Sequence, residues 1–314
     1  MKKLTITTAA ALAAVCAFGD WVYEGQWGTH GSGNGQFSFV PDVAVAPNGN
    51  VFVVDSGYNR VQYFNATGSY LGRWGSWGKS KSKFDHPSGV AINGASRVYV
   101  VETWNHRIQC FTPSGSLITV WGERGTGEGQ LRYPGAIAIA PNGNVYVADT
   151  QNHRVQYFTR KGEFLGKWNS GGTLKGPYAV AVAANGNVYV ADSWNHRVQY
   201  FTANGSFIGK WGSYGRGNGE FIEPRGLAVA SNGDVYVSGA DRVQYFTSTG
   251  SFLDKFGIPG SCNGMFKNPR GLAFSPNGTR IYVADCNNFR VQYFRLSGVA
   301  VTPTSLGRVK ALFK

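Results

Sequence analysis

The chain has 314 residues, among them 44 Gly, 9 Trp, 16 Tyr and 20 Phe, and a formal charge of +13 at pH 7. Gly stands at roughly twice its ordinary share, while charged residues make up 15% against a usual value of about 25%. Disordered chains are poor in aromatics and rich in charge, so this composition excludes disorder as the main state and points to many strands and turns.

Residues 1–19 read as an export signal. Lys2 and Lys3 precede a mostly apolar, Ala-rich stretch from Leu4 to Phe18, and Ala17-Phe18-Gly19 puts small residues where a signal peptidase reads them. An N-terminal strand or anchor is the other reading. Val15 stands before Cys16 where a lipoprotein signal needs a small residue, which favours simple cleavage. Taking away Lys2 and Lys3 leaves a charge of +11. In a cytoplasmic protein that charge would suggest nucleic acid. Export, to the periplasm, the cell surface or the medium, redirects it to anionic glycan, envelope or acidic protein surfaces. Beyond residue 20 no apolar run approaches about 18 residues, so the mature chain is not expected to span a membrane.

Internal repeats set the architecture from residue 20 to 298. The phrase Pro41-Asp-Val-Ala-Val-Ala-Pro-Asn-Gly-Asn-Val-Phe-Val-Val-Asp55 returns in variant form at Pro87, Pro134, Pro177, Pro224 and Pro269. Each unit continues into an Arg-Val-Gln-Tyr-Phe-like segment, beginning at Arg60, Arg107, Arg154, Arg197, Arg242 and Arg290, and then into a segment such as Phe164-Leu-Gly-Lys-Trp168. Four short runs rich in β-branched and aromatic residues, separated by Asn-Gly and Ser-Gly turns, predict one four-stranded antiparallel unit. Six of them predict an all-β, six-bladed β-propeller. Blade six lacks a fourth strand after Gly298, whereas Trp21-Val-Tyr-Glu-Gly-Gln-Trp27 matches the last strand of the other blades. The N-terminal strand is therefore expected to close the ring by pairing with blade six, removing an open sheet edge.

The runs Asn-Gly-Asn-Val-Tyr-Val-Ala-Asp and Asn-His-Arg-Val-Gln-Tyr-Phe, at 152–158 and 195–201, resemble the NHL repeat. The resemblance covers about 20–298 and implies the propeller fold. It does not choose a function, because NHL proteins include RNA-binding modules, extracellular sensor domains and the peptidyl-hydroxyglycine lyase of peptide amidation. Similarity to that lyase would imply zinc-binding His directly after the blade-opening Pro. The residues there are Asp42, Ser88, Gly135, Tyr178, Arg225 and Arg270, and His86 precedes its Pro instead. No hydrolase elbow, metalloprotease motif or phosphate-binding loop stands in their place, so no catalytic residue, metal or cofactor is assigned.

Most repeated residues have a structural explanation. Trp27, Trp74, Trp121, Trp168, Trp211 and Phe256 share one position in successive outer strands and are expected to pack between blades. Asp55, Glu102, Asp149, Asp192 and Asp285 end second strands, and the six Arg begin third strands, a pattern suited to fixing loops by charge-assisted hydrogen bonds. His106, His153 and His196 fall one per blade, and equivalent loops would disperse them around the ring, where a zinc site needs convergence.

Two sets of residues remain. If the opening residues of the inner strands ring the channel mouth, then Tyr178, Arg225 and Arg270 lie on one arc suited to a carboxylate, sulfate or phosphate. Alternatively, Asp42 on the adjoining blade pairs with Arg270. Between second and third strands lie Tyr58, Trp104 and Trp194, which are either interface anchors or folded over their own blades. With Lys79, Lys81, Lys83, Arg124, Arg132, Lys175, Arg216 and Lys267 in the blade connections, this face is basic and aromatic. A protein, peptide or anionic glycan partner is expected there.

Cys262 and Cys286 both fall on that face and are candidates for a disulfide in an oxidising compartment. Cys110 reads as a lone strand Cys. Residues 299–314 fit no blade and read as a tail that packs on the rim, hangs free or resembles short sorting tails. The function expected from these features is an exported, non-enzymatic binding scaffold. A divergent propeller lyase and an RNA-binding module are the alternatives.

Overall fold

The computed structural model describes residues 17–18, 20–171 and 173–298. The proposed signal, apart from a two-residue strand at Ala17–Phe18, and the tail at 299–314 lie outside the described residues. Six antiparallel sheets form the blades of a ring, and among the described residues no helix is long and apolar enough to cross a membrane.

Blade one shows the common plan, running outward from Val43–Val45 through Val51–Asp55 and Arg60–Phe64 to Tyr70–Trp74. Second strands are buried apart from Gly239 and Arg280 at the ends of two of them, as their near-continuous apolar run requires, and outer strands alternate partly buried with exposed positions. Blade six comprises Pro269–Phe274, Arg280–Asp285, Arg290–Leu296 and Trp21–Trp27. Trp21 pairs with Leu296 and Trp27 with Val291, so the N-terminal strand closes the ring as expected. Trp21 is 1% exposed and packs on Tyr236, Phe256 and Phe274. The two ends of the propeller meet at Ser297, whose N–H donates to the Asp20 carbonyl at 2.6 Å.

Six apolar clusters, one at each blade interface, make the core. The outer-strand tryptophans anchor them: Trp74 contacts Phe52 and Tyr63 of its own blade and Phe111 of the next, and Trp168 does the same with Tyr146, Tyr157 and Phe201. Each such ring lies over a turn glycine of the following blade. At Gly115 (φ +92°) a Cβ would come within 2.6 Å of the Trp74 ring, so that turn needs Gly both for its backbone and for the close approach. The indole N–H groups of Trp27, Trp74, Trp121, Trp168 and Trp211 are buried without an acceptor. These seams are held by ring packing rather than by indole hydrogen bonds.

Candidate binding site at the channel mouth and connector face

The repeat motif is consumed inside the blades. Arg154 donates through Nε to Asp149 at 2.7 Å and through both Nη atoms to the carbonyls of Thr126, Gly127 and Gln130 in the preceding connection. Gln156 donates to Gln130 O and accepts from Gly129 N, while Asn152 bridges Asp149 and Gly125 O. Blades one, two, four and six carry the same arginine-to-acid bond. Blade five departs from the pattern, because Gly239 replaces the acid and the Nε of Arg242 is buried without a partner.

The dispersed histidines have a role the sequence did not suggest. The Nδ1 atoms of His106, His153 and His196 accept the backbone N–H of Tyr133, Gly176 and Glu223, each the residue before the next blade's opening Pro. Asn59 and Asp241 accept from His86 N and Asn268 N in the same way. These five recipients have φ between 46° and 55°, a conformation that a following Pro disfavours. The latch therefore holds a strained residue at each opening. Nearby Arg124 and Arg132, after burial itself, push the His106 pKa down and keep the ring neutral and able to accept. Among the described residues no three His, Cys, Asp or Glu side chains converge as metal ligands.

Ring closure uses a different latch. Cys286 stands where other blades carry Thr103, Thr150 or Ser193, whose hydroxyls donate to the opening Pro carbonyl of the next blade at 2.6–2.9 Å. Its thiol is fully buried, meets the Val40 backbone N–H and is pushed up to about 11, chiefly by burial. Cys262 is exposed, and both thiols are free. The pairing expected from sequence is therefore not formed: the short turn Cys286–Asn288 directs one sulfur into the ring, while the connection carries the other outward.

The channel-mouth residues do converge. Arg270 Nη1 donates to the Tyr178 hydroxyl at 2.7 Å, reaching from blade six to blade four across blade five. Its guanidinium lies 5.5 Å from the Tyr178 ring centroid and 4.7 Å from that of Phe39. Arg225 lies 5.1 Å from the Tyr178 ring and pairs with Glu223. Beneath them is a cavity of ≈ 210 Å³ walled by inner strands, with Asp42, Ser88, Tyr178 and Arg225 among its polar residues. Asp42 does not pair with Arg270. Its oxygens instead accept the N–H groups of Val43 and Val90, both at 2.9 Å, and burial raises its pKa to about 7.

On the connector face, Trp104 is 56% and Trp194 47% exposed. Trp104 stacks on His86 at 4.0 Å, and Trp194 packs edge-on to His153 of the blade before. Each ring thus lies with one side against the opening of its own blade, Trp104 on His86 and Trp194 over Gly176, and leaves the rest of its surface exposed. Tyr58 is only marginally exposed and lies against Arg60. Sequence reasoning missed Trp77 and Tyr214, which at 68% and 69% are the most exposed large hydrophobic side chains among the described residues. Both occupy the third position after an outer-strand Trp, where a short parallel pairing folds the connection back on itself, Trp77 with Phe84 and Tyr214 with Phe221. That shared offset was the available signal. The eight basic connector residues are exposed and, among the described residues, none is in an ion pair.

The NHL repeat family model matches residues 84–111, 131–158, 174–201 and 266–294. These are the third-strand segments of blades two, three, four and six together with the strands before them. The unmatched blades are one, with Asn59 in the His position, and five, with no strand-end acid. No curated protein matches the chain by sequence. Solved structures alike in fold include a gluconolactonase of Xanthomonas campestris, at 17% identity over 92% of this chain and 93% of that one, TM-score 0.65. Another is a virginiamycin B lyase variant of Staphylococcus aureus, at 14% identity over 88% and 96%, TM-score 0.61. A third is a Bacteroides thetaiotaomicron protein of unknown function, at 18% identity over 87% and 76%, TM-score 0.66.

Proposed function

We propose that this chain, an NHL-repeat six-bladed β-propeller, is an exported, non-enzymatic scaffold that docks an anionic glycan or an acidic protein or peptide surface across its connector face. The observation that carries the reading is the division of labour among its polar residues. The arginines, glutamines and acids of the repeat are largely spent inside the blades, and the exposed remainder on one face is aromatic and predominantly cationic, eight Lys and Arg standing against Glu123 and Glu128. Trp77 and Trp104 offer flat apolar area of the kind that anchors interfaces. Lys79, Lys81 and Lys83, exposed and in no ion pair among the described residues, supply the attraction that steers an anionic partner.

The gluconolactonase and the lyase that share the fold differ in chemistry, so the likeness does not select an enzymatic reading. The positions at which similarity to the amidating lyase would put zinc ligands carry no His. An RNA-binding role is favoured by charge and opposed by the export signal. Failure of residues 1–25 to secrete a fused reporter would revive it.

The test is retention of the full chain on immobilised sulfated polysaccharide and polyglutamate across a salt gradient. Retention should be salt-dependent, and should fall in both a Lys79→Ser/Lys81→Ser/Lys83→Ser variant and a Trp77→Ala/Trp104→Ala variant. Retention unaltered in both variants would overturn the assignment to this face.

A further inference from the structure

The charge balance at the channel mouth points to a second, smaller site. Arg270 has no ion-pair partner among the described residues, because Asp42, the acid that adjoins it around the ring, spends its oxygens on backbone N–H groups of blades one and two. The guanidinium is fixed in orientation by Phe39 on one side and Tyr178 on the other, with Nη1 held by the Tyr178 hydroxyl. Its Nε is buried without an acceptor, and Nη2 makes no hydrogen bond either. One edge of a rigid, charged fork is therefore unused. Arg225 brings a second guanidinium against the same Tyr178 ring, and its partner Glu223 is 43% exposed, so solvent weakens the compensation.

We propose that the channel mouth is a binding site for a small carboxylate or other oxyanion, held by Arg225 at the head of the central cavity and by the unpartnered Nε–Nη2 edge of Arg270 behind Tyr178, once a small side-chain shift uncovers Nε. A guanidinium edge presents two parallel N–H groups that match a planar carboxylate, and an oxyanion there supplies the charge the site lacks. The ≈ 210 Å³ cavity below exceeds the ~150 Å³ that suffices to hold a benzene-sized molecule. The ligand's remaining atoms have room beside Asp42 and Ser88. None of these residues belongs to the connector patch of Trp77, Trp104 and the lysines, so this site stands or falls independently of the docking face.

The experiment is a calorimetric and thermal-shift titration of the full chain with acetate, and separately with inorganic phosphate, at constant ionic strength. Saturable binding at millimolar concentration is expected, weakened by about ten-fold or more in Arg270→Gln and in Arg225→Gln. If one variant fails to fold, the other carries the comparison. Arg270→Lys keeps the charge and loses the fork, so it should weaken acetate more than phosphate if the natural ligand is a carboxylate, and both equally if it is a tetrahedral oxyanion. The Trp77→Ala/Trp104→Ala variant should bind both anions as the parent does. Absence of saturable binding by either anion, or parental affinity in both Gln variants, would overturn the proposal.

Discussion

Glu24, on the first strand of the propeller, accepts both Nε and Nη2 of Arg280 on blade six, at 2.5 and 2.7 Å. Residues 256 positions apart in the chain are thus joined by a two-point clasp, partly shielded from solvent on both sides. Glu24→Ala should cost about 1–2 kcal/mol and lower the melting temperature by a few degrees. A melting curve identical to the parent's would show that strand pairing and Trp21 alone close the ring.

The His106 latch makes the fold sensitive to acid. His106 accepts through Nδ1, and its pKa is lowered in the folded chain. The unfolded chain then takes up a proton near pH 6.5 that the folded one refuses, so stability should fall as pH drops through that value. His106→Asn installs the residue that blade one uses for the same latch, tolerates the left-handed backbone and does not titrate. It should melt with the parent at pH 7.5 and above it at pH 5.5. Parallel pH profiles would sever the latch from the titration.

Asp42 acts with the opposite sign. Its folded pKa, about 7, lies above the unfolded value of 3.8, so its contribution is fully present below about pH 4 and is lost as pH rises to about 7. Asp42→Asn keeps a carbonyl for one of the two backbone N–H groups. Relative to the parent, it should gain stability progressively between pH 4 and pH 8, with the difference levelling off above the folded pKa. Thermal melts across that range measure it, and a gap independent of pH would show that the carboxyl titrates normally.

Blade five offers a repair. Gly239 pairs across the strand with Arg242, as Asp192 pairs with Arg197, and its φ is not in the left-handed region. A Cβ there would meet nothing closer than 3.3 Å. Gly239→Asp should give Arg242 Nε its missing acceptor and raise stability by about 1–3 kcal/mol, read as a higher melting temperature. A lower one would mean that the shortened loop holds the arginine out of reach.

The propeller, its closure and the inter-blade tryptophans were legible because a sixfold repeat states the same packing rule six times. The single-copy features were harder to read. That Tyr178 and Arg270 meet across an intervening blade depends on how far each side chain reaches over the mouth, and no spacing in the sequence encodes that distance. The disulfide expectation failed for a related reason. Cys262 and Cys286 do share a face, but the turn at Cys286–Asn288 sets which way its first side chain points, and here that is inward. The left-handed residues before the opening prolines were hidden because Tyr133 and Glu223 are not residue types that announce such a backbone.

The meeting of Asp20 with Ser297 carries an architectural consequence. The third strand of blade six leaves the connector face at Arg290 and ends at Leu296, where the closing strand begins with Trp21 on its way back. Both ends of the ring therefore emerge side by side on the side opposite the channel mouth. Cargo, label or support attached through either end would hold the propeller like a dish on a stem, with Trp77, Trp104 and Arg270 turned away from the point of attachment.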